Sequence, residues 1–244
     1  MTDEPPGEHA GPQRRLGAFA ALGDPTRRAL YEYVAEHGGW VGREQAADAI
    51  GIGRTLAAHH LDRLAADGLV EVAFQPAGER RGPGAGRPAK VYRRASQQFE
   101  LSLPPRRYEL VARLLAEAVD SSRRHGIALD QALDQSAQQA GEAMAAECRV
   151  ELPRRAGRRR VRAAIAAELR SCGYEPIVVP SGAITLRNCP FHDLAERHTE
   201  LVCGLNRALL AGLVGGLPAA RLSARLEPGD DRCCVQLDPS APPT

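Results

Sequence analysis

The chain has 244 residues, of which 43% are hydrophobic and 25% charged, and its formal net charge is only +2. This composition excludes a disordered or fibrous protein and fits one large domain or two smaller ones. No apolar run reaches the roughly 18 residues that a membrane span needs, and the polar N-terminus lacks the apolar core of a secretory signal. We therefore expect a cytoplasmic protein whose six cysteines are not joined in disulfides.

The N-terminal segment begins with two predicted helices. Residues 13–21 have helical character, and Asp24 followed by Pro25 fits the N-cap and the first position of a second helix. Gly38 and Gly39 end this second helix.

Two further helices and a hairpin follow. A glycine-containing turn at 50–53 separates a predicted helix at 43–49 from another at 54–67, which is the helix-turn-helix pattern. Strand-like segments at 69–74 and 89–94 then flank a long stretch rich in Gly, Pro and Arg. A hairpin with such a cationic tip is typical of a wing that reaches the DNA backbone or minor groove, while the second helix reads base edges in the major groove.

These residues resemble a known family. The stretches "LGDPTRRALYEYV", "AHHLDRLAADGLVEV" and "GRPAKVYRR" are similar to the winged-helix domain of ArsR-type bacterial regulators over about residues 14–95. The resemblance implies a double-stranded DNA operator as partner, with His60 and Leu61 directed into the domain. The alternative is a helix-turn-helix that contacts only proteins. The implied DNA-contacting residues are Arg54, Thr55, Ala58, His59 and Arg63 on the recognition helix and Arg80, Arg81 and Arg87 in the wing.

The middle of the chain, residues 103–148, predicts a helical dimerisation region. A helix at 103–122 carries a narrow apolar stripe, and an Ala- and Gln-rich helix follows at 127–148. We expect the stripe to pair with its twin in a homodimer, which also suits the two half-sites that helix-turn-helix proteins usually bind. The alternative is that the helix packs only within its own chain. The stripe consists of Tyr108, Val111, Leu114, Leu115 and Ala118.

Residues 157–237 predict a small α+β domain. A helix ended by Gly173 precedes two strands around a turn at Ser181 and Gly182, and a helix at 199–214 precedes two more strands. The predicted fold class is therefore α+β, with a winged helix-turn-helix at 13–96, a helical dimerisation region at 103–148, a C-terminal sensor domain at 157–237, and disordered tails at 1–12 and 238–244.

Four cysteines of this domain fall in comparable places, at strand ends and at the start of a helix. Cys189 follows a strand, Cys203 falls in the first turn of a helix, and Cys233 and Cys234 enter the last strand. Free amides at a helix N-terminus lower a thiol pKa and so favour the thiolate that soft metals bind. The spacing leaves three interpretations open: an iron–sulfur cluster, a zinc site that also uses His192, and inert buried cysteines.

A second resemblance points to one of these interpretations. The segment "RNCPFHDLAERHTELVCGLNRALLAGL" with the later "CCVQL", placed after an ArsR-like winged helix, resembles SufR-type iron–sulfur repressors. It implies a homodimer that holds a 4Fe–4S cluster through three cysteines and represses iron–sulfur assembly genes. Cys148 and Cys172 match nothing in this pattern, and we expect them to be structural. The implied ligands are Cys189, Cys203 and either Cys233 or Cys234, with His192, Asp193, solvent or a small thiol as the fourth.

The sequence thus predicts a DNA-binding regulator and not an enzyme. We expect a repressor whose cluster holds the dimer in the DNA-competent form and whose oxidation or loss releases DNA. One alternative is a winged-helix repressor with a zinc or small-molecule effector site and no cluster. The other is an enzyme with Cys189 or Cys203 as nucleophile beside His192 or His198, although no recognised catalytic signature surrounds them.

Overall fold

The computed structural model describes residues 12–75, 88–229 and 232–240. The chain divides into two compact units, residues 1–101 and residues 102–244. Each unit mixes helices with a small antiparallel sheet, so the predicted α+β class is confirmed. In the described part of the chain, every helix is too short or too polar to cross a lipid bilayer.

The first unit packs helices against a three-stranded antiparallel sheet. In chain order its described elements are α1 (Pro12–Leu22), α2 (Pro25–His37), β1 (Val41–Gly42), α3 (Arg43–Ile50), α4 (Arg54–Ala66), β2 (Val70–Gln75) and β3 (Ala89–Arg94). The strand order is β1–β3–β2, and β2 pairs with β3 from Val70 opposite Arg94 to Gln75 opposite Ala89. The predicted helices and strands of this segment lie within one or two residues of their observed bounds, whereas the short β1 was not predicted.

Local signals explain where α2 starts and ends. The Asp24 carboxylate accepts a hydrogen bond from the Arg27 backbone N–H at 2.9 Å, and Pro25 occupies the first turn, so the predicted N-cap is confirmed. The helix ends at Gly38, whose φ of +69° is the left-handed conformation that glycine adopts without strain. The buried core of the unit includes Leu30, Val34, Leu61, Leu64 and Tyr92.

The second unit packs helices against a four-stranded antiparallel sheet. In chain order its described elements are α5 (Tyr108–His125), α6 (Leu129–Glu151), α7 (Arg158–Ser171), β4 (Pro176–Val178), β5 (Ile184–Leu186), α8 (His192–Arg197), α9 (Thr199–Gly215), a 3-10 turn (Pro218–Ala220), β6 (Leu222–Leu226) and β7 (Val235–Pro239). The strand order is β4–β5–β7–β6. Helix α9 is apolar on most sides and more than half of its residues are buried, as expected of a central helix.

Glycines bring α6 and α9 into direct backbone contact. A methyl group added at Gly141 of α6 would overlap the carbonyl oxygen of Leu209, and one added at Gly212 of α9 would overlap that of Gln138. Only residues without a Cβ atom permit this approach. Backbone packing therefore holds the two helices in one relative position.

The apolar stripe of α5 is buried within its own unit. Val111, Leu114 and Ala118 belong to the same hydrophobic core as Ala132 and Ala137 of α6, on which α5 packs. Our expectation that this stripe pairs with its twin in a homodimer is therefore wrong. The physical reason is that α6 offers a complementary apolar face in the same chain.

Some boundaries of the second unit also differ from those predicted. Helix α5 begins at Tyr108 and not at residue 103, because each of the two prolines before it disfavours the helical conformation in the preceding residue. The segment after Cys189 contains the short helix α8, which was not predicted. α1 and β7 include Pro12, Asp238 and Pro239 of the predicted tails, and the Ser240 N–H donates to the Arg221 carbonyl at 3.0 Å. Residues 1–11 and 241–244 lie outside the described residues.

Candidate functional site

Helix α4 has one buried face and one exposed polar face. Ala57, His60, Leu61 and Leu64 are buried, so the inward placement predicted for the His-Leu pair is confirmed. The residues predicted to face DNA lie on the other side: Arg54, Thr55, His59 and Arg63 are exposed, and Ala58 is half-buried.

Two arginines of this face form ion pairs with neighbouring carboxylates. Arg54 pairs with Glu44 of α3, and Arg63 Nε donates to the Asp67 carboxylate at 3.0 Å. Exposed pairs of this kind contribute little to stability. The Arg54–Glu44 pair is exposed on both sides, so the Arg54 guanidinium can exchange its carboxylate for another anion, such as a phosphate, at little cost, whereas the Asp67 carboxylate is only 14% exposed.

Asp62 of α4 connects this helix to the hairpin. Its carboxylate accepts a hydrogen bond from the buried Tyr92 hydroxyl at 2.7 Å and also pairs with Lys90 of β3. Partial burial opposes ionisation of Asp62, but these two donors outweigh it and lower the pKa of the carboxyl. The base of the hairpin is thus tied to α4. The predicted wing residues Arg80, Arg81 and Arg87 lie outside the described residues.

The sheet of the second unit brings four thiols together. β5 and β7 are neighbouring strands, and the Cys233 backbone N–H donates to the Leu186 carbonyl at 2.8 Å. Cys233 therefore lies at the end of β5, where the chain continues to Cys189. The thiols of Cys189, Cys203, Cys233 and Cys234 influence one another's ionisation, and none is in a disulfide. We call these four residues the four-thiol site.

Within the four-thiol site the side chains form two neighbouring pairs, Cys189 with Cys233 and Cys203 with Cys234. The Cys233 thiol lowers the pKa of Cys189, burial opposes this effect, and a backbone N–H donated by Phe191 adds to it. For Cys233, the hydrogen bond with the Cys189 thiol and then burial raise the pKa. Cys189 is therefore the favoured thiolate of its pair.

Cys203 does not have the environment predicted for it. Helix α9 begins at Thr199, and the Val202 N–H already donates to the His198 carbonyl at 2.9 Å. The amide of Cys203 is therefore not one of the free amides of the helix N-terminus. Burial and then the neighbouring Cys234 thiol raise the pKa of Cys203 to about 12. Our expectation of a thiolate stabilised by the helix dipole at this position is wrong.

The sulfur of Cys233 is buried and accepts two N–H hydrogen bonds. Asn206 Nδ2 lies 3.2 Å and Val235 N 3.5 Å from Cys233 Sγ. The Asn206 side-chain oxygen in turn accepts a hydrogen bond from the Tyr174 hydroxyl at 2.5 Å. Neither Asn206 nor Tyr174 was predicted as a site residue. The signal that identifies such a partner is the lone asparagine inside the apolar helix "TELVCGLNRALLAGLVG", because a buried amide needs hydrogen-bond partners.

The two residues predicted as a fourth ligand have other partners. His192 and Asp193 are both exposed at the start of α8. His192 Nε2 lies 3.3 Å from Glu196 Oε1, and Asp193 Oδ1 lies 4.0 Å from Arg106 Nε. Cys234 is instead the fourth side chain that the structure places among the thiols.

Polar contacts hold the loop that carries Cys189. The Asn188 side chain donates to the Pro105 carbonyl at 3.1 Å and accepts from Arg106 Nη1 at 2.8 Å. The loop is therefore fixed to the segment that leads into α5. We refer to the Asn188, Pro105 and Arg106 contacts as the loop clasp.

The other two cysteines occupy separate positions. Cys148 is buried on α6, and Cys172 follows the end of α7, where its thiol donates to the Glu168 carboxylate at 3.5 Å. Burial raises the pKa of each thiol to about 11. Both therefore remain protonated at neutral pH.

The donors of the four-thiol site fit a soft metal centre. Cysteine thiolates bind zinc and iron–sulfur clusters, and hydrogen bonds to sulfur tune such centres. In residues 12–75, 88–229 and 232–240, no group of three or more His, Cys, Asp or Glu side chains already stands in an arrangement that could hold a metal ion.

No protein-family model, curated protein or solved structure matches the chain.

Proposed function

We propose that the chain is a sequence-specific DNA-binding transcriptional regulator, acting as a repressor, whose DNA affinity is controlled by an iron–sulfur cluster bound by its C-terminal cysteines. The observation that carries this proposal is the presence of two features in one chain. One is the exposed polar face of α4 beside an antiparallel hairpin, and the other is the four-thiol site.

The DNA-binding part of the proposal rests on α3, α4 and the β2–β3 hairpin. Their order fits a winged helix-turn-helix, in which the N-terminal residues of the second helix contact base edges in the major groove. Arg54 and Thr55 occupy that end of α4, one turn before His59. An arginine there suits guanine, whose major-groove edge offers two acceptors. We assign phosphate or minor-groove contacts to the wing arginines.

We further propose that the regulator is a homodimer. Helix-turn-helix proteins commonly bind two half-sites about one helical turn apart, and a pair of identical chains satisfies this geometry. Because the apolar stripe of α5 is buried in its own unit, we assign the dimer contact to a different surface.

In the second unit, Cys189, Cys203 and either Cys233 or Cys234 would hold the cluster. Such a cofactor supplies a connection between separate elements that depends on iron and on redox state. Cys189 belongs to a loop clasped to the segment before α5, and Cys203 belongs to a helix locked against α6. A cofactor that drew these thiols together would therefore also shift α5, α6 and the segment that leads into α5. A coupling of about 1–3 kcal/mol changes DNA affinity roughly 5- to 150-fold.

A zinc-dependent repressor is the second candidate. The observation that favours it is the position of Cys234 beside the other three cysteines, since four thiolates complete a tetrahedral zinc site. Elemental analysis separates the candidates, because a cluster contributes iron and acid-labile sulfide, whereas this alternative contributes one zinc per chain.

The first experiment is purification without oxygen, followed by visible absorption, iron and acid-labile sulfide measurements. Broad visible absorption with several irons and sulfides per chain supports the cluster. Colourless protein with stoichiometric zinc supports the second candidate, and protein that takes up neither metal contradicts both.

The second experiment selects binding sites from a random duplex library and measures the affinity for the enriched sequence. We expect Arg54→Ala to weaken that binding by about 1–3 kcal/mol. Arg124→Ala is the matched control, because Arg124 is an exposed, ion-paired arginine of α5. Failure to enrich any sequence, or equal effects of the two substitutions, would contradict the DNA-binding proposal.

A further inference from the structure

The two adjacent cysteines of the four-thiol site differ in burial and in hydrogen bonding. Cys233 is 1% exposed and receives N–H hydrogen bonds from Asn206 Nδ2 and Val235 N. Cys234 is half-buried and neighbours Cys203. The chain bends at Cys234, directly before β7, and the two thiols enter different surroundings.

The amide group of Asn206 is held in one orientation. Asn206 is 1% exposed, and its oxygen accepts from the Tyr174 hydroxyl at 2.5 Å. An amide whose oxygen faces a hydroxyl donor must direct its NH₂ group to the other side, and here that side is the Cys233 sulfur. Tyr174 is itself buried and stacks edge-to-face with Phe191, two residues after Cys189.

This arrangement suits a buried metal-bound sulfur. A thiolate inside a protein is costly unless donors compensate its charge. Two N–H groups on one sulfur supply such compensation, and Asn206 lies one helical turn from Cys203 on the same helix. Asn206 therefore contacts one candidate ligand and lies one helical turn from another.

We propose that Asn206 and Tyr174 are positioning residues that select Cys233, and not Cys234, as the third cysteine ligand of the cofactor. With the cofactor bound, the Asn206 N–H group would also stabilise the extra negative charge of its reduced form and so raise its reduction potential. The inference rests on the proposed function, because it presumes a metal–thiolate cofactor in the second unit.

The test uses full-length protein reconstituted without oxygen with iron and sulfide. We expect Cys233→Ser to lose most of its iron and sulfide, and Cys234→Ser to retain both. The reverse pattern would overturn the ligand assignment, as would equal losses in the two variants. Adjacent cysteines in one segment make each substitution the matched control of the other.

The positioning role is tested with Tyr174→Phe and Asn206→Leu. Tyr174→Phe removes only the hydroxyl that orients the amide, and Asn206→Leu removes the amide itself. We expect both variants to bind iron but to show a more negative midpoint potential, with the larger shift for Asn206→Leu. If Asn206→Leu does not fold, Tyr174→Phe decides the matter. An unchanged midpoint potential would overturn the positioning role, because a purely structural contact would leave the potential unmoved.

Failure of the proposed function gives a different result from failure of this inference. Wild-type protein that takes up no iron or sulfide would contradict the cluster. In that case, Cd²⁺ titration followed by thiolate-to-metal absorption tests the ligand assignment separately. We expect Cys233→Ser to lose more of this absorption than Cys234→Ser, and the opposite order would overturn the assignment.

Discussion

Gly141 of α6 lies directly against the carbonyl oxygen of Leu209 in α9, with no space for a methyl group between them. The contact matters for the candidate site because α9 also carries Cys203 and Asn206. Any displacement of these two side chains along the helix axis would have to break the α6–α9 packing. The position of two site residues thus depends on a glycine that is remote from them in the sequence.

We expect Gly141→Ala to destabilise the second unit by about 1–3 kcal/mol or more, the usual cost of overpacking a tight contact. Gly204→Ala is the matched control on α9, because a methyl group there meets no atom within 4 Å. Alanine is the better helix former, so this control should stabilise the unit by up to about 1 kcal/mol. Urea unfolding of the full chain, followed by circular dichroism, measures both. Similar effects of the two substitutions would contradict the close approach of the helices.

The hydrogen bond between Tyr92 and Asp62 gives a second prediction. Asp62→Ala leaves the buried Tyr92 hydroxyl without its acceptor, which typically costs about 1–3 kcal/mol, whereas Asp62→Asn retains an oxygen acceptor and should cost less. The pKa of Asp62 is lowered in the folded state, so ionised Asp62 stabilises the fold above its ordinary pKa of 3.8. This contribution disappears as the pH falls from about 3.8 through the lowered value.

Urea unfolding of the wild type, Asp62→Asn and Asp62→Ala at neutral and acidic pH measures this effect. The stability gap between the wild type and Asp62→Asn should narrow in acid, because only the wild-type side chain titrates. A gap that is independent of pH would show that ionised Asp62 does not stabilise the first unit.

A buried arginine gives a third prediction. Arg162 of α7 donates to the Ala220 carbonyl at 2.9 Å and to the Arg221 carbonyl at 3.2 Å, and Gly182 lies against its guanidinium group. A side chain at Gly182 would push this group away. Both Gly182 and Gly126 have positive φ, but only the former is crowded. Gly126→Ala should therefore cost the backbone strain alone, about 1–2 kcal/mol, and Gly182→Ala should cost more.

The comparison of these two variants isolates the contact from the strain. Unfolding free energies of the full chain provide the measurement. Equal losses in the two variants would mean that the guanidinium group moves away from Gly182 without cost, and the inferred role of Arg162 in fixing the segment before β6 would be wrong.

The ionisation of the thiols gives a fourth prediction. In metal-free protein near neutral pH, iodoacetamide should modify Cys189 before Cys203 or Cys148, because only thiolates react appreciably. The pKa of Cys189 is lowered, whereas burial raises those of Cys203 to about 12 and Cys148 to about 11. Peptide mass spectrometry after timed quenching measures the order. In urea the three rates should become similar, and a persistent difference there would show that the fold does not set the order.

Much of the first unit was predictable because its signals are local. The Asp24 cap and the glycine turn before α4 both act within a few residues of the element that they define. The outward face of α4 was expected from the family resemblance of this segment. The two-residue β1 was missed because so short a strand depends on its partner and not on its own sequence.

The second unit was harder to predict because its decisive contacts join distant segments. The burial of the α5 stripe depends on the apolar face of α6, and the surroundings of Cys203 depend on the exact residue at which α9 begins. The convergence of the cysteines was expected, but their arrangement in two pairs was not. The hydrogen bond from Asn206 to Cys233 joins residues that are 27 positions apart in the sequence.

The four thiols lie on a loop, a helix and the approach to a strand, spread over residues 189–234. An unfolded chain offers no compact set of ligands of this kind, since closing such long loops costs entropy. Capture of a metal would therefore follow the folding of the second unit, and binding would be thermodynamically linked to that folding. A ligand that binds only the folded form adds to its stability in proportion to RT ln(1 + [L]/Kd). Metal scarcity would then act on the protein as a loss of folding free energy in the second unit.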